Sequence, residues 1–487
     1  MTQPMQRFIV RKGAMPAKRP AAERRGDFGE IYGDFGQDAA AGQANRCAQC
    51  GVPFCQIQCP LHNNIPDWLM LAGQNRMEEA NAVASATNNM PEICGRICPQ
   101  DKLCEGSCVI EQAGHGTVTI GAIERHIVDT AWDRGWVKPP RPARERTERV
   151  AVIGAGPGGL AAAEDLRRAG VQVEVFDSHD RPGGLLIYGI PNFKLEKHLV
   201  RRRTDLLSAG GIVLHQGVRV GRDVAFDDLR RRFDAVVIAT GVYKARTLDL
   251  PGIQSAPVVQ ALEYLIASNR KGLGDAVPAF DDGRLDAKGQ RVVVVGGGDT
   301  AMDCVRTAIR QGATAVTCLY RRDRANMPGS AREVDHAVEE GVAFDWLAQP
   351  ERVLAGPDGV EVRVRRMRLG APDASGRQTP EPDDAAPASL AAELVIAALG
   401  FEAENLASLF GCADLPLTPA GTVAADPESQ ATALPGVYAV GDIVRGASLV
   451  VWAIRDGRAA AHAILHAFSQ PRATVGANRA ERAGAAA

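Results

Sequence analysis

The pattern of apolar and polar positions changes character once along the chain. Between Pro66 and Thr87 apolar residues recur at i, i+3 and i+4, first Trp68, Leu71 and Ala72 and then Ala80, Val83 and Ala84; that period predicts helices with buried faces. A basic, proline-rich stretch from Lys138 to Arg146 then reads as a linker. Beyond it come short apolar runs, Val150–Ile153, Val171–Phe176, Ala235–Ala239, Val292–Val295, Ala315–Tyr320, Leu394–Leu399 and Val437–Val440, most of them ending in a glycine or small-residue turn. Short buried runs alternating with Ala/Leu-rich segments predict an α/β fold behind a helical N-terminal domain, with the boundary near 145. The runs at 235–239 and 394–399 are expected where the chain leaves and re-enters a shared sheet.

Two of these runs carry chemistry. Arg149–Ile153 leads into Gly154-x-Gly156-x-x-Gly159 and then a helical segment. This is a dinucleotide fingerprint in its proper setting: the first glycine turns the chain, the second admits the pyrophosphate to the backbone, and the third lets helix approach strand. The next run ends at Asp177, 23 residues after Gly154, where an acid can bond a ribose hydroxyl. The pattern recurs at Gly296-Gly-Gly298-Asp299-Thr300-Ala301, with alanine in the third place. Here the following run ends in Arg321 and Arg322, with Asp323 beside them and Arg324 behind. Guanidinium groups suit a 2′-phosphate, so this second site is expected to favour NADP over NAD. Near the C-terminus, Gly441-Asp442 follows a run and places an acid at a strand's carboxyl end.

The helical domain holds eight of the eleven cysteines, spaced Cys47-x2-Cys50-x4-Cys55-x3-Cys59 and, after a 34-residue gap, Cys94-x3-Cys98-x5-Cys104-x3-Cys108. Two groups of four suit two iron–sulfur clusters, and proline directly follows Cys59 and Cys98 as it follows the last cysteine of a ferredoxin run. Zinc is the rival, although only Cys47/Cys50 forms a tight knuckle. Disulfides would suit a short secreted chain. Spacing leaves open whether the quartets are Cys47–Cys59 and Cys94–Cys108 or interleave.

Composition narrows the class. Charged residues make up 23% and the formal net charge is −2, so neither nucleic acid nor an anionic membrane is expected as a partner, and no run reaches the ~18–20 apolar residues that span a bilayer. A cytoplasmic protein is expected. The first 25 residues hold seven Lys/Arg against one acid, Glu23, with three prolines; an arm packed on a neighbouring domain or subunit accounts for them better than a transit peptide. The stretch 471–487, rich in Ala, Arg and Gly, reads as a disordered tail.

Together the fingerprints and the late Gly-Asp resemble the two-dinucleotide flavoproteins of the glutathione-reductase type. Longer strings resemble a narrower family, the small (beta) subunits of bacterial NADPH-dependent glutamate synthase: Asn45-Arg-Cys-Ala-Gln-Cys-Gly-Val-Pro-Phe-Cys, Cys59-Pro-Leu-His-Asn-Asn-Ile-Pro, Pro91-Glu-Ile-Cys-Gly-Arg-Ile-Cys-Pro, Gly183-Gly-Leu-Leu-Ile-Tyr-Gly-Ile-Pro-Asn-Phe-Lys and Gly441-Asp-Ile-Val-Arg-Gly-Ala-Ser-Leu-Val-Val-Trp-Ala-Ile-Arg-Asp-Gly. The resemblance covers about 40 to 468. It implies a helical domain with two [4Fe-4S] clusters (1–145), an FAD domain in two parts (146–255 and 400–470) and an inserted NADPH domain (256–399). Gly154, Gly156, Gly159, Asp177, Gly184, Gly441 and Asp442 then fall on FAD, with Gly183 and Tyr188 to Lys194 lining the flavin. Gly296, Gly298, Asp299, Thr300, Ala301, Arg321 and Arg322 fall on NADPH. It further implies that Cys47, Cys50, Cys55 and Cys108 hold one cluster and Cys59, Cys94, Cys98 and Cys104 the other. Cys304, Cys318 and Cys412 form no redox pair.

The implied activity is hydride transfer from NADPH to FAD, with electrons passed through the clusters to a large (alpha) subunit that makes L-glutamate from L-glutamine and 2-oxoglutarate. The hydride step needs no side-chain acid or base, so no catalytic residue is assigned. The chain shows no cysteine before Cys47, where an amidotransferase of this type would begin with one, so a hetero-oligomer is expected. The alternative is an NADPH/ferredoxin-type electron-transfer subunit of another complex.

Overall fold

The structure, a computed structural model, describes residues 6–356, 359–373, 376 and 378–470. The expected disordered tail, 471–487, lies outside the described residues. Among them no helix is long and apolar enough to cross a membrane.

The N-terminal domain is built on α1 (Gln37–Ala44), α2 (Ile65–Gly73), α3 (Met77–Thr87), α4 (Pro91–Ile97) and α5 (Ile120–Asp133). Pro66 and Pro91 stand in the first turns of α2 and α4, where their missing N–H costs nothing. The helical segment expected over 66–87 is a pair of helices. The chain turns at Gln74–Arg76, with Asn75 at φ 60°, a conformation asparagine tolerates better than most residues, and Asn45 Nδ2 bonds the carbonyl of Gly73 at 2.8 Å. The break lets the Trp68/Ala72 and Ala80/Ala84 faces, all fully buried, close on one core with Ile123 and Ile127 of α5.

After the linker the chain runs β1 (Arg149–Ile153), α6 (Pro157–Arg168), β2 (Gln172–Asp177), α7 (Lys197–Ala209), β3 (Val213–Gln216) and β4 (Ala235–Ile238). A second α/β unit follows: β5 (Val258–Gln260), α8 (Ala261–Gly272), β6 (Arg291–Val295), α9 (Asp299–Gln311), β7 (Ala315–Tyr320), α10 (Ala331–Glu339) and β8 (Ala343–Trp346). Then come β9 (Ala348–Gly356), β10 (Gly359–Pro372), β11 (Gln378–Pro382), β12 (Ala388–Ala392), β13 (Leu394–Ala397), β14 (Val437–Ala439) and α11 (Val450–Ser469).

These strands form two parallel five-stranded sheets, ordered β14-β4-β1-β2-β3 and β5-β13-β6-β7-β8. The run at 394–399 therefore differs from expectation: it sits inside the second sheet, and the chain re-enters the first at β14. Each sheet is a doubly covered layer, which is why its strands read as continuous apolar runs. The antiparallel sheet of β9 to β12 was not anticipated. Its central strand alternates buried Val360, Val362 and Val364 with outward Glu361, Arg363 and Arg365, and the valines pack on Val293, Val295 and Leu319 of the second sheet. Burying each such valine contributes about 1.5–3 kcal/mol.

The basic arm packs on the second α/β unit, as the sequence suggested for a neighbouring domain. Arg24, 1% exposed, meets Glu340 at 2.9 Å and Glu339 at 2.7 Å, and Tyr32 Oη lies 2.9 Å from His336 Nε2.

A candidate cofactor corridor across three domains

The carboxyl edge of the first sheet opens into a cavity of about 420 Å³ whose wall includes Gly154, Gly156, Asp177, Thr240, Gly441 and Asp442. The β1–α6 turn forms its floor. Gly154 has φ +110° and a Cβ there would lie 2.3 Å from the carbonyl oxygen of Ala239, so only glycine fits, whereas Gly156 has open space where its side chain would be. Gly159 and Gly184 serve the turn from behind: a Cβ on the first would meet the Gly154 oxygen at 2.0 Å, and on the second the Gly156 Cα at 3.0 Å. The backbone N–H groups at the start of α6 therefore face the cavity without side chains in the way.

Asp177 ends β2 and is pinned from both sides. Its carboxylate accepts from the Ala155 N–H at 2.6 Å and the His179 N–H at 2.8 Å. Across the cavity, Asp442 accepts from Ser448 N–H and Oγ at 3.1 and 2.6 Å, yet burial pushes its pKa up to about 6. The fully buried Asp456 of α11 accepts from the Gly441 N–H at 3.3 Å and from Arg445 at 2.6 and 2.8 Å, which fixes this turn. The buried hydroxyl of Thr240 has no partner among the described residues, so one polar atom of the wall waits for a ligand.

The second glycine turn repeats the design. Gly296 has φ +149° and Gly298 faces open space. Asp299, Thr300 and Ala301 open α9; Asp299 accepts from the Ser330 N–H at 2.9 Å, and Ala301 is fully buried. At the end of β7 the arginines separate by role. Arg324 pairs with Asp335 and Asp323 accepts from Asn326 N–H and Nδ2 at 2.9 and 2.7 Å, so that acid is occupied locally. Among the described residues neither Arg321 nor Arg322 has an ion pair, and Arg322 Nε is buried without a partner.

A second cavity, about 220 Å³, lies where the arm, the helical domain and both α/β units meet. It shares Ile190, Ser448, Leu449 and Val450 with the first, and its wall also holds Asp299 from the second glycine turn and Cys98 from the helical domain. Lys194 crosses it, 2.9 Å from Asp303 and 3.5 Å from Glu333. Burial opposes the charge on Lys194, but these carboxylates overcome it and hold its pKa above the ordinary lysine value. Of the segment Tyr188 to Lys194, Ile190 lines both cavities. Behind it, buried Lys197 donates to the carbonyls of Leu186 and Ile190, and burial pushes its pKa down to about 7.

The eight cysteines fall into two interleaved quartets. Cys47, Cys50, Cys55 and Cys108 wall one small cavity, the outer; Cys59, Cys94, Cys98 and Cys104 wall another, the inner. All are free thiols. Burial pushes Cys47 and Cys59 up to about 11 and Cys55 to about 12, a cost to the thiolate that a bound metal would offset. Among the described residues, no three histidine, cysteine, aspartate or glutamate side chains converge closely enough to hold one metal ion; each quartet surrounds a space. Cys98 belongs to both its quartet and the second cavity, and Val451 of α11 closes the same wall. Cys304, Cys318 and Cys412 are buried and apart from the quartets.

Thr240, Asp456, Lys194 and Lys197 had no assigned role from sequence, apart from Lys194 as the end of a lining segment. A buried charge has no local signature. Only the Gly-Asp string that continues through Arg445 to Asp456 hinted that the region acts as one unit.

Residues 24–136 match the family described as dihydropyrimidine dehydrogenase domain II, 4Fe-4S cluster, and residues 148–457 match the pyridine nucleotide-disulphide oxidoreductase family. The chain is 58% identical to the glutamate synthase (NADPH) small chain of Azospirillum brasilense over 97% of this chain and 98% of that one. The corresponding small chain of Escherichia coli K12 is 44% identical over 96% and 99%. In fold, Mycobacterium tuberculosis FprA in complex with NADPH is similar with a TM-score of 0.56 at 20% identity, over 66% of this chain and 85% of that one. At this identity across nearly the whole of both chains, the protein belongs to the glutamate synthase (NADPH) small chain family.

Proposed function

We propose that this chain is the cytoplasmic electron-input subunit of a glutamate synthase, oxidising NADPH through FAD and two [4Fe-4S] clusters for a large subunit that makes L-glutamate from L-glutamine and 2-oxoglutarate. The observation that carries this reading is the shared wall: Ile190 and Ser448–Val450 join the Gly154/Asp442 cavity to one that touches both Asp299 and Cys98. Flavin, nicotinamide and cluster sites thus adjoin.

The donor set fits the groups. FAD, when bound, accepts hydride from NADPH and gives up electrons singly, which a hydride donor alone cannot do. Gly154 and Gly156 with the start of α6 would receive its pyrophosphate, Asp177 would hold its ribose, and Thr240 and Asp442 would supply polar atoms along the cavity. Gly296, Gly298, Asp299, Thr300 and Ala301 do the same for NADPH. Each cysteine quartet stands around a space, which suits a polynuclear cluster better than one zinc ion bound at about 2.3 Å by all four sulfurs. Lys194 and Lys197 hold the segment between the two cavities.

The test is anaerobic NADPH oxidation with and without a glutamate synthase large subunit, glutamine and 2-oxoglutarate. Glutamate is expected only with the large subunit; formation by this chain alone, or reduction of ferredoxin in preference to the large subunit, would defeat the proposal.

Arg321 and Arg322 are free to bind a 2′-phosphate, and a charge-assisted hydrogen bond contributes about 1.5–3 kcal/mol. Arg321→Ala/Arg322→Ala is therefore expected to raise KM for NADPH roughly 10- to 100-fold while leaving the NADH reaction nearly unchanged. Steady-state reduction of an artificial dye with each nucleotide measures this. An equal loss with NADH would mean that the arginines serve the fold.

A further inference from the structure

The arm does more than cover the second α/β unit. Residues 17–33 fold back on themselves, with the Arg19 N–H on the Ile31 carbonyl and the Gly33 N–H on that of Ala17, both at 2.9 Å, and Arg19 pairs with Asp27. The resulting loop touches all three domains. Glu30 meets Arg96 at 2.6 Å and Arg125 at 2.9 Å in the helical domain. The Phe28 carbonyl accepts from Asn192 Nδ2 at 2.9 Å, within the segment whose Ile190 lines both cavities. Arg24 and Tyr32 hold Glu340 and His336 of the second unit. Glu340 also takes Arg306 at 3.0 Å and Arg310 at 2.6 Å from α9, and those two guanidinium groups lie 4.6 and 3.9 Å from the centre of the Phe193 ring. Ile31 and Tyr32 stand in the wall of the second cavity with Ile190 and with Asp299 of the glycine turn.

We propose that Arg24 and Tyr32 are positioning residues for the hydride step: through them the arm straps the second α/β unit to the segment Tyr188–Lys194, and so sets how closely a nucleotide on the Gly296/Gly298 turn approaches the flavin. The inference rests on the function proposed above and adds what fixes the distance between its two sites. The chain passes between the two units twice, and the passages pair as a short two-stranded ribbon, Lys244–Ala245 with Phe401–Glu402. Such a ribbon is only marginally stable by itself, so side-chain contacts must set the orientation. Lys194 ties the first turn of α10 through Glu333, and Arg24 and Tyr32 tie its last turn and the residue after it. The arm therefore opposes rotation about the Lys194 contact. Hydride transfer is sensitive to such rotation, since a misplacement of about 1 Å can slow a reaction roughly 100-fold.

Arg24→Ala/Tyr32→Phe tests this in the full-length, cofactor-loaded chain. Glu340 keeps Arg306 and Arg310, so no buried carboxylate is stranded, and neither glycine turn is touched. Anaerobic flavin reduction at saturating NADPH, followed by stopped flow, is expected to slow about tenfold or more, and the long-wavelength absorbance of nicotinamide stacked on flavin should fall in parallel. The NADP+ dissociation constant should stay within about twofold of wild type, because the nucleotide's own contacts remain. Lys18→Ala, which removes a partly exposed pair with Glu339, should change neither the rate nor the absorbance. If the double variant loads flavin poorly, Tyr32→Phe alone replaces it, with a slowing of roughly threefold expected from one lost hydrogen bond. A wild-type reduction rate in either flavin-loaded variant overturns the proposal. So does a rise in the NADP+ dissociation constant with the saturating rate unchanged, or an equal slowing in Lys18→Ala. A wild-type chain whose flavin NADPH does not reduce sinks the underlying function instead.

Discussion

Cys47→Ala and Cys108→Ala are each expected to remove one cluster, and the double variant is expected to lose no more iron than either alone. Cys47→Ala/Cys59→Ala, by contrast, should lose both. The reason lies in where the helices take the chain. Cys108 precedes the short helix Val109–Gln112, whose first residues share the outer cavity with Cys47, Cys50 and Cys55. Cys59 closes the Phe54–Ile57 turn but looks the other way, toward Cys94, Cys98 and Cys104. Iron and labile-sulfide analysis reads the result as a loss of about four iron atoms per cluster. Sequential quartets would invert the pattern, with Cys47→Ala/Cys59→Ala behaving as a single loss.

The effect on electron flow should be nearly complete while flavin reduction survives. Without either cluster the chain is expected to reduce a dye from NADPH but to deliver no electrons for glutamate formation. Inner-quartet variants should also lower stability, because Cys94, 4% exposed, packs in the core that contains Val152, Leu160 and Tyr188. Variants at Cys47, Cys50 and Cys55 should melt closer to wild type, since these three are only partly buried, whereas Cys108 is buried.

That contrast shows what the sequence could and could not carry. The glycine turns, their strands and the acid or arginines after them are local, so each was legible from a short window. The pairing of cysteines was not: it depends on turns such as that at Gln74–Arg76, where α2 gives way to α3 and the chain reverses. Family resemblance suggested the interleaved sets, whereas spacing left both open. The β9–β12 sheet went unread although Val360, Val362 and Val364 alternate cleanly with charged neighbours. Gly356 and Gly359 bound its first turn and carry a hairpin signal, but no nucleotide fingerprint follows these strands as it follows β1 and β6. Asp456 and Lys197 were beyond reach for another reason, since an ordinary charged residue in a helical run becomes special only when other segments of the fold close over it.

Gly457→Ala is expected to cost the chain its flavin, although the same change at Gly272 should do nothing or help. Both glycines are helical, and alanine gains up to about 1 kcal/mol over glycine in a helix interior. At Gly272 in α8 a Cβ would meet nothing within 4 Å, so that gain stands. At Gly457 in α11 the Cβ would lie 2.2 Å from the Gly158 carbonyl oxygen and 3.0 Å from the Ala162 nitrogen, and a backbone carbonyl in α6 cannot swing aside as a side chain can. The helices must part, at a cost on the order of 1–3 kcal/mol or more. Parting them also moves Asp456, next in the chain, away from the Gly441 N–H and Arg445, and shifts Val450, which lines both cavities. The expected result is a Gly457→Ala protein that purifies with well under half the wild-type flavin and melts several degrees lower, with iron content falling less than flavin, because all eight cysteines belong to the N-terminal helical domain and α11 reaches the inner quartet's wall through Val451. Flavin-to-protein absorbance and thermal unfolding measure both. A Gly457→Ala protein with full flavin and an unchanged melting temperature would show that α6 and α11 do not cross as tightly as Gly158 and Gly457 require.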